Sequence, residues 1–286
     1  MGTQRVALLI SKVGKRIKES ITTSNPLFDS DTVLSWLNDS IDDLFNLCVE
    51  ENWSKLRKTG YISTVVNQQN YDLPSDLGVL ESVWWKPDTQ ISANALDFIP
   101  NDEAQNYESS LVASYPIGWS LLEGKLRISS PSADAKSNAI QLNYFRILPH
   151  MHTGTLSSAS STTAVLPSTA TLGEIPTIDD YLNGADIYIV SGKGSGQRRT
   201  ITDYVADTRS CTVSAWSTTP DSTSVYEILC FIPERYCELL VMGAVRRCEG
   251  IEDKVAFHNA EYQRLLYEFQ IGIGREQIQE LDYIRI

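Results

Sequence analysis

Residues 51–85, ENWSKLRKTGYISTVVNQQNYDLPSDLGVLESVWW, hold the change of pattern that decides the fold. Before Trp53 apolar residues recur every three or four positions. After it they gather in short runs rich in β-branched and aromatic side chains, YISTVV from Tyr61 and VLESVWW from Val79. The first pattern belongs to a helix that buries one stripe, and the second to strands, where such side chains pack well on a pleated surface. Helix therefore gives way to sheet here. Within the stretch, Tyr71-Asp72-Leu73-Pro74 reads as a strand end: tyrosine and leucine point to one side, and proline, which has no N–H, stops the ladder.

Toward the N-terminus, SDTVLSWLNDSIDDLFNLCVEENW sets Leu34, Leu37, Ile41, Leu44, Phe45 and Cys48 on one stripe, with Asp29 or Ser30 placed to cap the helix. Val6, Leu9, Ile10, Val13, Ile17 and Ile21 give an earlier helix, and Asn25-Pro26 breaks the chain between the two. Toward the C-terminus, WSLLEGKLRIS from Trp119 and AIQLNYFRI from Ala139 continue the strands, with a tight turn expected at Glu123-Gly124. ALDFIPNDEAQNYESS, residues 95–110, reads as an irregular connection or a short helix.

Residues 153–171 are dominated by Ser, Thr and Ala, and strands then resume in ADIYIVSGKGSGQRRTITDYV, SCTVSAW and SVYEILCF, which suggests a small inserted β unit over 153–228. Helices return after Pro233, which suits a first helical position, with Tyr236, Cys237, Leu240, Ala244, Val245 and Cys248 inward and Gly250 at the end. A last helix over 253–270 points Val255, Tyr262, Leu265, Leu266 and Phe269 inward. The expected fold is α+β: a helical bundle from residues 1–56 and 229–270, a β-sandwich or barrel-like part over 57–152, the insertion, and an extended tail over 271–286. Gly272 and Gly274 are expected to release that tail, leaving Ile271, Ile273, Ile278, Leu281, Tyr283, Ile284 and Ile286 to be covered by the same subunit or by a neighbour.

A formal charge of -12 argues against gripping a phosphate backbone, which needs clustered Lys and Arg. The charge is uneven. Lys12, Lys15 and Arg16 lie in a basic opening segment, and Asp39, Asp42 and Asp43 in an acidic one that follows. These are either two solvated faces or complementary faces of neighbouring subunits. No run of apolar residues is long enough for a membrane span. The opening residues lack the apolar stretch of a secretion signal, so synthesis in the cytoplasm is expected.

Five cysteines without a C-x-x-C pair signal neither a disulfide framework nor a zinc knuckle. Gly192, Gly194 and Gly196 lack P-loop spacing and precede a strand-like RRTITDYV, so a hairpin turn is expected. His150 and His152 have no nearby Cys or carboxylate cluster to complete a metal site. No catalytic, cofactor or metal site stands out, and the chain is not expected to be an enzyme.

Three blocks in order, TVLSWLNDSIDDL, the stretch over 51–85, and FIPERYCELLVMGAVRR, resemble the head-tail adaptor family of tailed bacteriophages, including its tail tubular, gatekeeper-type proteins. The matching motif residues are Tyr71, Leu73, Pro74 and Asp76, then Pro233, Tyr236, Leu239 and Leu240. The resemblance implies a homo-oligomeric ring, commonly of about twelve copies, at the head–tail junction of the virion and assembled in the host cytoplasm. Its partners would be the portal protein and a tail tube or nozzle protein, with genomic DNA passing through without specific binding. The apolar tail would then dock on the portal or on a neighbour. The insertion departs from the family and looks like a small β module that recurs in phage particle proteins. It motivates a rival expectation, a host- or glycan-binding virion module using Tyr181, Tyr188, Tyr204 and Trp216.

Overall fold

The computed structural model describes residues 5–19, 21, 28–87, 93–104, 115–251 and 256–284, and it is α+β. Helices α1 (Val6–Ile17) and α2 (Ser30–Glu50) come first. α1 buries Val6, Leu9, Ile10 and Val13, and α2 buries Leu34, Leu37, Ile41, Leu44 and Cys48, the stripes their periodicity requires. Asp29 caps α2, its carboxylate accepting the Thr32 amide at 2.7 Å. That bond satisfies an orphan N–H of the first turn and holds the carboxyl below its usual range.

The chain then forms β1 (Arg57–Thr64), β2 (Asn70–Asp72), β3 (Leu77–Trp85), β4 (Asn94–Ala95), β5 (Asp97–Phe98), the short α3 (Asn101–Ala104), β6 (Gly118–Leu122), β7 (Lys125–Ile128) and β8 (Lys136–Arg146). These make two four-stranded sheets, ordered β1-β8-β3-β4 and β2-β7-β6-β5. A single core joins them, with Val83, Trp85, Ile140, Leu142 and Tyr144 from one sheet and Tyr71, Trp119, Leu126 and Ile128 from the other. Glu123 and Gly124 turn β6 into β7 with φ of 50° and 74°, the left-handed pair that suits a right-twisted hairpin.

A seven-stranded sheet follows, ordered β10-β11-β14-β13-β12-β15-β9. Its strands are β9 (Thr153–Thr155), β10 (Ser158–Ala159), β11 (Thr163–Val165), β12 (Asp186–Ser191), β13 (Arg198–Val205), β14 (Ser210–Val213) and β15 (Val225–Ile228). Ile187, Ile189, Ile201, Tyr204, Tyr226 and Ile228 centre its core. One 3-10 turn, Glu234–Tyr236, leads to α4 (Cys237–Ile251), and α5 (Ala256–Ile284) ends the fold. α4 packs against α1, α2 and α5.

Two compact units result, Ser54–Ile147 and Met1–Trp53 with Leu148–Ile286. The sequence set 153–228 apart as an insertion, whereas these residues share a unit with the helices and are bonded to them. Arg5 pairs with the buried Glu227 at 3.2 Å. Just ahead of these residues, the Asn38 carboxamide both donates to the Met151 carbonyl and accepts its N–H, each at 2.9 Å. Asp31 accepts the Gly173 amide at 2.8 Å.

The C-terminus also differs from the expected extended tail. α5 runs through Gly272 and Gly274 to Ile284, so no extended tail begins at Ile271. Gly272 is there for packing, because a Cβ would overlap the Tyr236 hydroxyl. A glycine inside a helix costs about 1 kcal/mol. Phe269 and Ile273, both fully buried, offset it at roughly 1.5–3 kcal/mol each.

Candidate interaction surfaces

The Tyr71 motif holds the sandwich together. The Tyr71 hydroxyl donates to the Gln68 carbonyl at 2.9 Å and accepts the Val65 amide at 3.4 Å, closing the loop between β1 and β2. Asp76 is fully buried; one carboxylate oxygen accepts the Tyr144 hydroxyl and the other the Lys58 ammonium, both at 2.8 Å. Three strands are thereby tied at one end of the sheet. Leu73 packs at the margin of the core. At the far end of the chain Pro233 precedes the 3-10 turn, and Tyr236 meets Phe269 edge-on at 4.7 Å, with Phe269 in turn on Trp53. Each of these motif residues serves the chain's own packing.

Except for Lys15, the charged residues expected to pair between subunits have partners within the chain, largely on α4. Arg16 pairs with Glu238 at 2.6 Å and with Glu261 at 3.4 Å, and Lys12 lies 3.7 Å from Glu238. Arg247 lies 2.7 Å from Asp43 and 3.6 Å from Asp39, and it also donates to the Ser40 hydroxyl. Asp42 meets His150 at 2.8 Å. Lys15 is exposed. Within the chain, α4 thus supplies counter-charges to both the basic and the acidic helix.

Of the expected tail contacts, Ile273 is fully buried in its own unit, while Ile271 is 36% exposed. Tyr267, one turn earlier on α5, is 64% exposed. The side chains of Ile278, Leu281, Tyr283, Ile284 and Ile286 lie outside the described residues.

The glycine-rich segment is a hairpin turn between β12 and β13. Gly192 has φ 79°, and a Cβ on it would overlap the Thr223 carbonyl oxygen. Gln197 ties the turn to the next loop, donating to the Thr218 carbonyl at 2.7 Å and accepting the Ser217 amide at 2.7 Å. Arg199 lies over the Trp216 ring, and Arg198 pairs with Asp186. Of the aromatics expected to bind sugars, Tyr204 and Trp216 are core residues, the half-buried Tyr188 is covered by Arg5, and the half-buried Tyr181 accepts the His150 amide at 3.1 Å.

His152 is completely buried with Nδ1 3.2 Å from the Tyr226 hydroxyl, and burial lowers its pKa to about 3. All five cysteines are buried as free thiols. Burial pushes Cys48 up to about 12 and raises Cys211 further, so neither offers a thiolate. Among the described residues no group of three or more His, Cys, Asp or Glu side chains can hold a metal ion, and no helix is long and apolar enough to cross a membrane.

What the sequence did not single out is the surface of the sandwich. Tyr61, Val65, Phe98, Tyr115 and Ile117 are each more than half exposed there. The outer side of the β1-β8-β3-β4 sheet is a polar ladder of Thr59, Asn143 and Ser82. The alternation Ile140-Gln141-Leu142-Asn143-Tyr144 carried the signal for that side, since period two sends the amides outward as the apolar residues turn inward.

The motif residues and most of the helical charges are thus engaged within the chain, and the sandwich carries the largest group of exposed apolar side chains among the described residues. The SU10 adaptor protein family model matches residues 4–193, more than half of the chain. The chain belongs to the SU10 adaptor protein family and is thereby a phage structural adaptor, a component of the virion. No curated protein matches it.

Proposed function

We propose that the chain is a ring-forming head-to-tail adaptor that joins the portal protein to a tail tube or nozzle protein around the DNA channel. The family match over residues 4–193 carries this reading. A ring of about twelve copies would act without catalysis or cofactor, its terminal helices forming a bundle. The charge of -12 supports a channel role: DNA slides past a surface that does not neutralise its phosphates, and each phosphate contact would otherwise add to the grip. The portal contact would use the end of α5, whose last residues include Ile278, Leu281 and Ile284. Electron micrographs of the purified protein mixed with portal-bearing heads should show an axial ring at the vertex. Binding away from the vertex, or as isolated copies, would overturn the reading.

A further inference from the structure

We propose that the outer face of the β1-β8-β3-β4 sheet binds a neutral hexose oligosaccharide. Strand register sets Tyr61, Gln141 and Trp84 in one cross-strand row and Thr59, Asn143 and Ser82 in the next. Ile140, Leu142 and Tyr144 enter the core, so Gln141 and Asn143 face outward between the two aromatics. Tyr61 is 53% exposed and Trp84 half-buried. They stand on either side of β8, about 10 Å apart at two inter-strand steps, a spacing suited to alternate rings of an extended sugar chain.

The floor between them is already ordered. Thr59 donates to the Asn143 carboxamide oxygen at 3.1 Å, Gln141 donates to the same oxygen at 3.2 Å, and Asn143 donates to the Ser82 hydroxyl at 3.1 Å. The Trp84 indole N–H donates to that hydroxyl at 2.9 Å. Ser82 accepts twice, so its own hydrogen is left to donate outward. Asn143 keeps a second N–H, and the Gln141 carbonyl oxygen has no partner among the described residues. A donor hydroxyl, a donor amide and an acceptor carbonyl side by side match vicinal sugar hydroxyls, each of which donates and accepts. Because the ladder fixes these rotamers beforehand, little side-chain ordering remains to oppose binding. Beside the floor, a depression of about 350 Å³ lies at Arg57, Thr59, Glu81, Ser82 and Asn143, a size typical of small-molecule sites.

Charge selects the ligand. Arg57 is paired with Glu81 and Lys58 with Asp76, so no net charge remains for a phosphate or a polyanion. The centre of the face is amide and hydroxyl, which leaves no apolar pocket for the anchor residue of a protein partner. A sugar ring places C–H groups on an aromatic face and hydroxyls at its edge, and this surface offers a partner to both.

Titration of the full chain with cellohexaose, laminarihexaose and maltohexaose, followed by tryptophan fluorescence, tests the proposal. At least one hexamer should give a saturable change, weakened roughly tenfold by Tyr61→Ala. Tyr115→Ala, which removes an exposed aromatic outside the two rows, should leave it unchanged. Binding by none of the three, or equal binding by wild type and Tyr61→Ala, overturns the site. So does loss of attachment to heads in Tyr61→Ala without sugar binding, which would make the face a protein interface. The ring is tested separately by the micrographs, so either idea can fail alone.

Discussion

The seven-stranded sheet and the sandwich are both β structures of similar chain length, yet they treat their side chains differently. In the seven-stranded sheet the residues that look like a ligand motif are consumed by the fold: Gly192 admits a backbone carbonyl, Gln197 staples two loops, and Tyr204 and Trp216 fill the core. In the sandwich, by contrast, Tyr61, Val65, Val66, Phe98, Tyr115 and Ile117 stand exposed, although none of them lies in a sequence that reads as a ligand motif. Exposed apolar groups gain nothing from water, so it is the plainer region that is equipped to meet something else. A recognisable local pattern more often reports what the backbone needs than what the surface binds.

The two β regions should differ most at Gly192. Gly192→Ala forces a side chain into a left-handed conformation and against the Thr223 carbonyl, which should cost about 2–5 kcal/mol. Gly196→Ala, at φ 88° with open space around it, should cost only about 1–2 kcal/mol. Denaturant midpoints of the full-length variants read the difference. Equal effects would mean the turn is not held as described.

In the sandwich, Asp76→Ala should cost about 2–3 kcal/mol by guanidinium unfolding. Most of this comes from the buried hydrogen bond between the Tyr144 hydroxyl and Asp76, since Lys58 is 37% exposed and partly resolvated. Tyr144→Phe combined with Asp76→Ala should cost less than the sum of the two single changes, because both remove the same buried bond.

A smaller, pH-dependent effect belongs to the seven-stranded sheet. The folded pKa of His152, about 3, lies below its ordinary 6.5, so the unfolded chain takes up a proton that the folded chain refuses. The contribution is fully present above pH 6.5 and is lost as pH falls toward 3, at about 1.4 kcal/mol per pH unit. His152→Phe should flatten that part of the stability profile, as measured by thermal unfolding across this range. An unchanged slope would place the titrating group elsewhere.

The smallest effect is expected where the surface is apolar. Tyr61→Ser and Phe98→Ser should change stability by no more than about 0.5 kcal/mol while improving solubility. A loss of several kcal/mol would show these side chains to be structural, and the contrast between the two β regions would collapse.

What the sequence determined by itself is local. The stripes of α1 and α2, the cap at Asp29, and the turns at Glu123-Gly124 and Gly192–Gly196 were legible because periodicity and left-handed backbone depend on near neighbours. Only the tertiary structure decided the partners. Lys12, Arg16, Asp39 and Asp43 looked complementary, but Glu238 and Arg247, some two hundred residues away, neutralise them within the chain. Gly272 looked like a helix end and is instead the seat of Tyr236, and Tyr204 and Trp216, which looked displayed, are core. A glycine, a charge or an aromatic ring carries no label for its role, because that role is fixed by whatever the folded chain brings within a few ångströms of it.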